Sequence, residues 1–169
     1  FQPALNFKGL LKIEVIKKFL RKYIKVDDFS ALKIPLTVGA TNLTYGRTEY
    51  FHEGSLIDPI CASSCVPVLF DPMLIGDQWY IDGGILNNLP AEPIRKSCDI
   101  VIGIHTNPVE EDFIAANARQ VMERALMMAI GRNVDLSRQY CDHYLEPPGL
   151  GLYRVSDLSS ADVIFTTGY

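Results

Sequence analysis

Asp82 closes an apolar run in the stretch Tyr80-Ile81-Asp82-Gly83-Gly84-Ile85-Leu86-Asn87-Asn88-Leu89-Pro90. An acid followed at once by two glycines can do one of two things. Asp-Gly between apolar runs is the strongest short hairpin signal, because glycine accepts a positive φ without a Cβ clash. On local sequence alone a plain turn is a full account. The alternative is a carboxylate at the end of a strand, aimed at a reacting group. A two-glycine step lets the backbone lie close against another element and leaves the acid unobstructed.

Two surrounding features also favour the second role. A turn is already available at Gly76-Asp77, six residues earlier. The segment "NNLPAEPIRKS" reads as a loop entering a short helix, with Pro90 and Pro93 tolerated near its start. Asp82 would then end a strand that feeds a strand-to-helix connection, the place where α/β folds gather reactive groups.

The elements that must hold Asp82 follow from periodicity. Leu10, Ile13, Ile16, Phe19, Leu20 and Ile24 recur at steps of three and four, predicting an amphipathic helix from Gly9 to Val26, closed by Asp27 and Asp28. "IPLTVGAT" (34–41) predicts a buried strand, and "RTEYFHEG" (47–54) a second one reached through a turn at Gly46. "SLIDPICASSC" predicts a short helix capped by Ser55, with Pro59 in its first turn. "PVLFDPMLIGDQWYIDGG" predicts a hairpin leading into the strand of Asp82.

"DIVIGIHTNP" (99–108) is continuously apolar at its centre, which predicts a strand buried on both faces, as in a parallel sheet covered by helices. A helix from about Asp112 to about Tyr144 follows, with Val121, Ala125, Met127 and Met128 as its apolar side and the methionines as core filler. After Pro147-Pro148-Gly149, "GLYRV" predicts an extended piece, and Ser156 or Ser159 caps a last helix ending near Gly168. Strands alternating with helices make the chain α/β, in one domain.

The totals exclude several classes. A net charge of -4 argues against a nucleic-acid surface, since binding its phosphates needs clustered Lys and Arg, so no nucleic-acid partner is expected. The one basic cluster, Lys17, Lys18, Arg21, Lys22 and Lys25, falls at helical spacing and reads as a solvated helix face. The four cysteines, at 61, 65, 98 and 141, form no C-x-x-C pair and are not grouped with His52, His105 or His143. Free, mostly buried thiols in a reducing, cytoplasmic setting are expected, with no metal. There is no apolar run long enough to cross a bilayer.

"ASSCVPVLFDPMLIGDQWYIDGGILNNLPAEPIRKSCDIVIGI" (62–104) resembles the region of the patatin-like phospholipases that carries their catalytic Asp. In that family an A-S-x-x-x-P segment precedes a hairpin ending in D-G-G or D-G-A, then an N-x-P-type loop and a buried strand. Asp82, Gly83 and Gly84 fall on the D-G-G motif. "IPLTVGATNLTYGRTEYF" is similar to the family's strand pair around an A-T-(D/N) step, and residues 151–169 to its closing helix.

The resemblance implies a three-layer fold with a mostly parallel sheet flanked by helices. It also implies lipid or acyl-ester substrates, no metal or organic cofactor, and a Ser-Asp dyad with Asp82 as general base and Gly83 and Gly84 setting its backbone. Tyr80, Ile81, Ile85 and Leu86 would bury Asp82 and raise its pKa toward a useful range.

The family's serine sits in a G-x-S-x-G elbow, with a glycine-rich oxyanion loop upstream. No serine here has glycines two before and two after. By resemblance, both elements lie ahead of residue 1, so 1–169 is expected to be the C-terminal part of a single patatin-like domain, lacking its N-terminal strands and inactive alone. The missing segment is then a partner, and contact with membrane is at most peripheral. His105, with Ser63 or Cys65, is the other conceivable nucleophile arrangement; a partly exposed strand-end histidine is its simpler reading. A non-catalytic binding or scaffold module of the same fold is the alternative function.

Overall fold

A computed structural model describes residues 12–67, 69–109, 113–114, 117–153 and 158–169. The predicted positions at Gly9, Leu10, Asp112 and Ser156, and the end of "GLYRV", lie outside them. Contacts along the chain group into two compact units, residues 1–87 and 88–169.

The first unit opens with helix α1 (Ile13–Tyr23). It stops short of Asp27 and Asp28, which do other work. Asp28 caps a 3-10 turn at Phe29–Ala31 by accepting from the Ser30 amide. Asp27 caps helix α2 (Ile57–Ser63) from 29 residues away: its Oδ1 accepts from the amides of Leu56 at 2.9 Å and Ile57 at 2.8 Å. The predicted cap, Ser55, instead donates its hydroxyl to Asp27. Tertiary placement put a stronger acceptor on those orphan amides than the adjacent serine could offer. Pro59 does sit in the first turn of α2.

Strands β1 (Val38–Asn42), β2 (Arg47–Phe51), β3 (Met73–Ile75) and β4 (Gln78–Asp82) form one sheet in the order β2-β1-β4-β3. Every pairing in it is antiparallel. A mostly parallel sheet is therefore not what this part of the chain builds. Gly46 (φ 64°) and Gly76 (φ 63°) make tight turns, and links so short can only return the chain antiparallel. The expected hairpins are both present.

The inner face of the sheet meets α2. Phe29, Val38 and Leu56 form one buried cluster; Ala40, Ala62 and Tyr80 form another, bridged by Phe51. Phe51 meets the Tyr80 ring edge-on at 5.5 Å. A four-residue helix, α3 (Gly84–Asn87), follows β4 directly.

In the second unit, a 3-10 segment (Glu92–Ser97) leads to β5 (Ile102–Ile104), then α4 (Ala118–Arg138) and β6 (His143–Leu145). Strands β5 and β6 pair in parallel, Ile102 opposite His143. A helix thus links two parallel strands, as expected for this region. The predicted long helix is shorter, because residues 143–145 were claimed by the edge of β5. Pairing with a strand some forty residues away is invisible to local periodicity.

Strand β5 is not buried on both faces. Val101, Gly103 and His105 are buried while Ile100, Ile102 and Ile104 are exposed, the period-two signature of a sheet covered on one side. Helix α4 likewise buries Ile130, Val134 and Ser137, whereas Val121 and Met128 are exposed, so those residues are not its packed side and Met128 is not core filler. Residues Leu150–Leu152 form a 3-10 turn after Gly149 (φ 78°), not an extended piece. Helix α5 (Ala161–Gly168) ends the chain; Ser160 is at its N-cap without a side-chain cap bond.

Candidate active site at the end of strand β4

Asp82 is the last residue of β4 and pairs with Ala40 on the central strand. Three backbone relationships fix it. Its amide donates to the Cys65 carbonyl at 3.0 Å, linking β4 to the segment just past α2. Its Oδ1 accepts from the Gly84 amide at 2.7 Å. Helix α3 then starts at Gly84, with the Leu86 and Asn87 amides donating to the Gly83 carbonyl. The carboxylate is thus both a strand end and a cap-like acceptor, held in one direction.

Gly83 is where the sequence-based expectation was right for one reason and wrong for another. Its φ is not in the positive region. A Cβ added there would stand 2.2 Å from the Gly39 carbonyl oxygen and 2.7 Å from the Gly39 carbonyl carbon. The glycine is demanded by close backbone approach, not by a left-handed turn. Gly39, Ala40 and Gly83 let two strand backbones nearly touch beside the acid.

Burial pushes the Asp82 carboxyl above its ordinary value of 3.8, and the Gly84 amide opposes that by stabilising the charge. Tyr80 and Ile81 are buried beside it; Leu86, expected to help, is exposed. A partly desolvated carboxylate with the Gly84 amide as its donor among the described residues and a raised pKa is equipped to accept a proton.

Sequence reasoning missed the network that stiffens β4. The Asn42 side chain is fully buried and donates to Gln78 Oε1 at 2.6 Å and to the Tyr80 hydroxyl at 3.2 Å. It also accepts from the Tyr45 amide at 3.0 Å. The Tyr80 hydroxyl donates to Glu49 Oε2 at 2.6 Å, so β4 is tied across β1 to β2. The Asn42 partners Gln78 and Tyr80 lie 36 and 38 residues further along the chain, beyond the reach of local pattern.

His105 belongs to the other unit and is buried, not partly exposed. Its Nδ1 lies 2.7 Å from Glu146 Oε2 and 3.1 Å from the Tyr144 hydroxyl, which itself donates to Glu146. Cys65 is fully buried, its Sγ donates to the Cys61 carbonyl, and burial lifts its thiol to about 12. So protonated a thiol is a poor nucleophile at neutral pH. All four cysteines are free, but only Cys61 and Cys65 are buried; Cys98 is exposed and Cys141 half-buried. Among the described residues no set of three His, Cys, Asp or Glu side chains is grouped as metal ligands would be.

A mixed α/β chain with an acid-Gly-Gly step at a strand end is consistent with a patatin-like fold, although its four-stranded sheet is antiparallel. The profile of the patatin-like phospholipases matches residues 3–95, more than half of the chain. The chain belongs to the patatin-like phospholipase family. An uncharacterized NTE family protein of Mycobacterium bovis is 32% identical over 109 residues, which is 64% of this chain and 30% of the relative. A protein of the same description from Mycobacterium tuberculosis matches with the same figures. A probable lipid hydrolase of Invertebrate iridescent virus 6 is 27% identical over 123 residues, 69% of this chain and 40% of the relative. The chain spans 30% to 40% of the length of these relatives.

Proposed function

We propose that the protein carrying this chain is a lipid acyl hydrolase that cleaves carboxylic esters through an acyl-serine intermediate, with Asp82 as the general base of a Ser-Asp dyad. The observation that carries this reading is the Asp82 carboxylate itself: half-buried, raised in pKa, and aimed by the Gly84 amide beside a backbone contact only glycine permits. Family membership supports the substrate class, as does the likeness to the viral probable lipid hydrolase.

In the proposed chemistry a serine hydroxyl, a weak nucleophile until deprotonated, gives its proton to Asp82 as it attacks the ester carbonyl. Asp82 then returns that proton to the departing alcohol. Water repeats the cycle to release the fatty acid. Gly83 and Gly84 hold the carboxylate in place during both transfers. The reaction as drawn uses no metal and no organic cofactor.

These 169 residues hold no G-x-S-x-G. In this reading the nucleophile and oxyanion donors come from outside them, residues 1–169 form the C-terminal part of one patatin-like domain, and 1–169 alone has no esterase activity.

The test is Asp82→Asn in the full-length protein. Asparagine keeps the shape and still accepts from Gly84, but cannot take the serine proton. Turnover of an acyl-lipid ester is expected to fall by roughly 10²–10⁴-fold with the fold intact. In the parent, the acidic limb of kcat/KM is expected above the ordinary value of 3.8. Turnover within about threefold of the parent would leave Asp82 a structural residue and favour a binding or scaffold module.

A further inference from the structure

Helix α1 has two apolar stripes, and among the described residues only one packs on the protein. Ile13, Ile16, Leu20 and Ile24 are half-buried on the side that packs against α2. Lys17 fastens that side by pairing with Asp58 at 2.5 Å. On the adjoining flank Val15, Phe19 and Tyr23, each four residues apart, are 70%, 55% and 69% exposed. The Phe19 and Tyr23 rings lie against each other, centroids 5.0 Å apart. Lys12, Lys18 and Lys22 stand beside this ridge and Arg21 on the far edge of the same outward surface, all exposed, with Lys25 just past the helix end. Residues 12–25 carry six basic side chains and one acid, Glu14, in a chain whose net charge is -4.

We propose that this outer face of α1 docks on an anionic lipid bilayer. An exposed apolar ridge of Val, Phe and Tyr flanked by long cationic side chains suits a helix lying flat in the headgroup region. The rings enter the acyl boundary, and the lysine stems reach along them to anionic headgroups. Eleven residues of helix, about 16 Å long, can lie in that interface but not cross it. A protein partner fits the face less well, since the cores of protein interfaces are depleted of lysine. Charge complementarity therefore selects the membrane. The surface is anchored to the body of the first unit, because α1 packs on α2 and the segment after α2 receives the Asp82 amide. The proposal goes beyond the acyl-hydrolase reading and does not depend on it.

The test uses the full-length protein carrying Asp82→Asn, so that membrane binding is read without lipid turnover. Flotation is compared on vesicles of phosphatidylcholine alone and of phosphatidylcholine with phosphatidylserine. Binding is expected only with phosphatidylserine and is expected to vanish in about 1 M salt, where the Debye length is about 3 Å. Replacing Lys18, Arg21 and Lys22 by Glu is expected to weaken it at least about a hundredfold, at about fivefold for each basic residue near the surface. Phe19→Ser is expected to weaken it as well without changing salt dependence. These side chains are exposed, so helicity and melting of both variants should match the parent. Equal binding to both vesicle types would overturn the proposal. So would full binding by both variants, or variants that break self-association while leaving vesicle binding intact, which would make the face a protein interface.

Discussion

The amide of Asp82 donates to the carbonyl of Cys65 at 3.0 Å. That bond joins the end of β4 to the segment that leaves α2, two elements separated in the chain by the β3–β4 hairpin. It is a backbone bond, so neither side chain announces it. The direction of the Asp82 carboxylate is consequently a property of how α2 and the sheet pack, and several measurements follow from that dependence.

The half-buried carboxyl of Asp82 makes stability depend on pH in a definite direction. Its folded pKa lies above the ordinary value of 3.8, burial being the main cause. The folded state therefore binds the proton more tightly than the unfolded chain. Stabilisation from this group is full below about pH 4 and is lost as pH rises through the folded value. Asp82→Asn is thus expected to raise Tm at pH 7 relative to the parent, and that gain is expected to disappear in acid. Calorimetry at pH 7 and pH 3.5 reads both, with about 2–4 °C per kcal/mol for a protein of this size. A lower Tm at pH 7 would mean that the charged form is the stabilised one.

Gly83→Ala and Gly46→Ala should separate two reasons for glycine. At Gly46, φ is 64° and nothing lies within 4 Å of an added Cβ, so the cost is conformational, about 1 kcal/mol. At Gly83 the added carbon would meet the Gly39 carbonyl at 2.2 Å, so β1 and β4 must part, at roughly 1–3 kcal/mol or more. Urea melts should rank Gly83→Ala well below Gly46→Ala, and only the former should disturb turnover in the full-length protein. Equal losses would show that the β1–β4 approach relaxes freely.

Asp27→Ala should cost about 0.5–2 kcal/mol, the range of a lost helix cap, although Asp27 is 29 residues from the helix it caps. Asp27→Asn keeps the acceptor oxygen and should stay within a few tenths of a kcal/mol of the parent. Chemical denaturation distinguishes them. If Ser55→Ala proved more damaging than Asp27→Ala, the cap would belong to the serine after all.

Glu146 offers the opposite pH behaviour in the second unit. Hydrogen bonds from Tyr144 and from His105 hold its carboxyl below the ordinary value of 4.5. Its stabilisation is therefore present above about pH 4.5 and lost as pH falls through the folded value. Glu146→Gln should destabilise at pH 7 by about 1 kcal/mol or less, because the carboxylate is partly exposed and screened. The difference should close in acid. A gap that widened on acidification would contradict the sign.

What the amino-acid sequence determined on its own was local and short-ranged. Turns at Gly46 and Gly76, the hairpin into β4, the helical face of α1, and Asp82 as a strand-end acid were all legible, because each rests on residues within a few positions of one another. The family was legible too, through the order of its motifs around Asp82-Gly83-Gly84. What only the tertiary structure decided were relationships across many residues. These include Asp27 rather than Ser55 on the α2 amides, β6 taken from the predicted end of α4, the antiparallel placement of β4 beside β1, and the bare face of β5. Why Gly83 must be glycine belongs with them, since that requirement is the Gly39 carbonyl 44 residues earlier. Periodicity records which face of an element is apolar, but which partner arrives at that face is set by packing. Backbone carbonyls and close approaches carry no residue type from which they could be read.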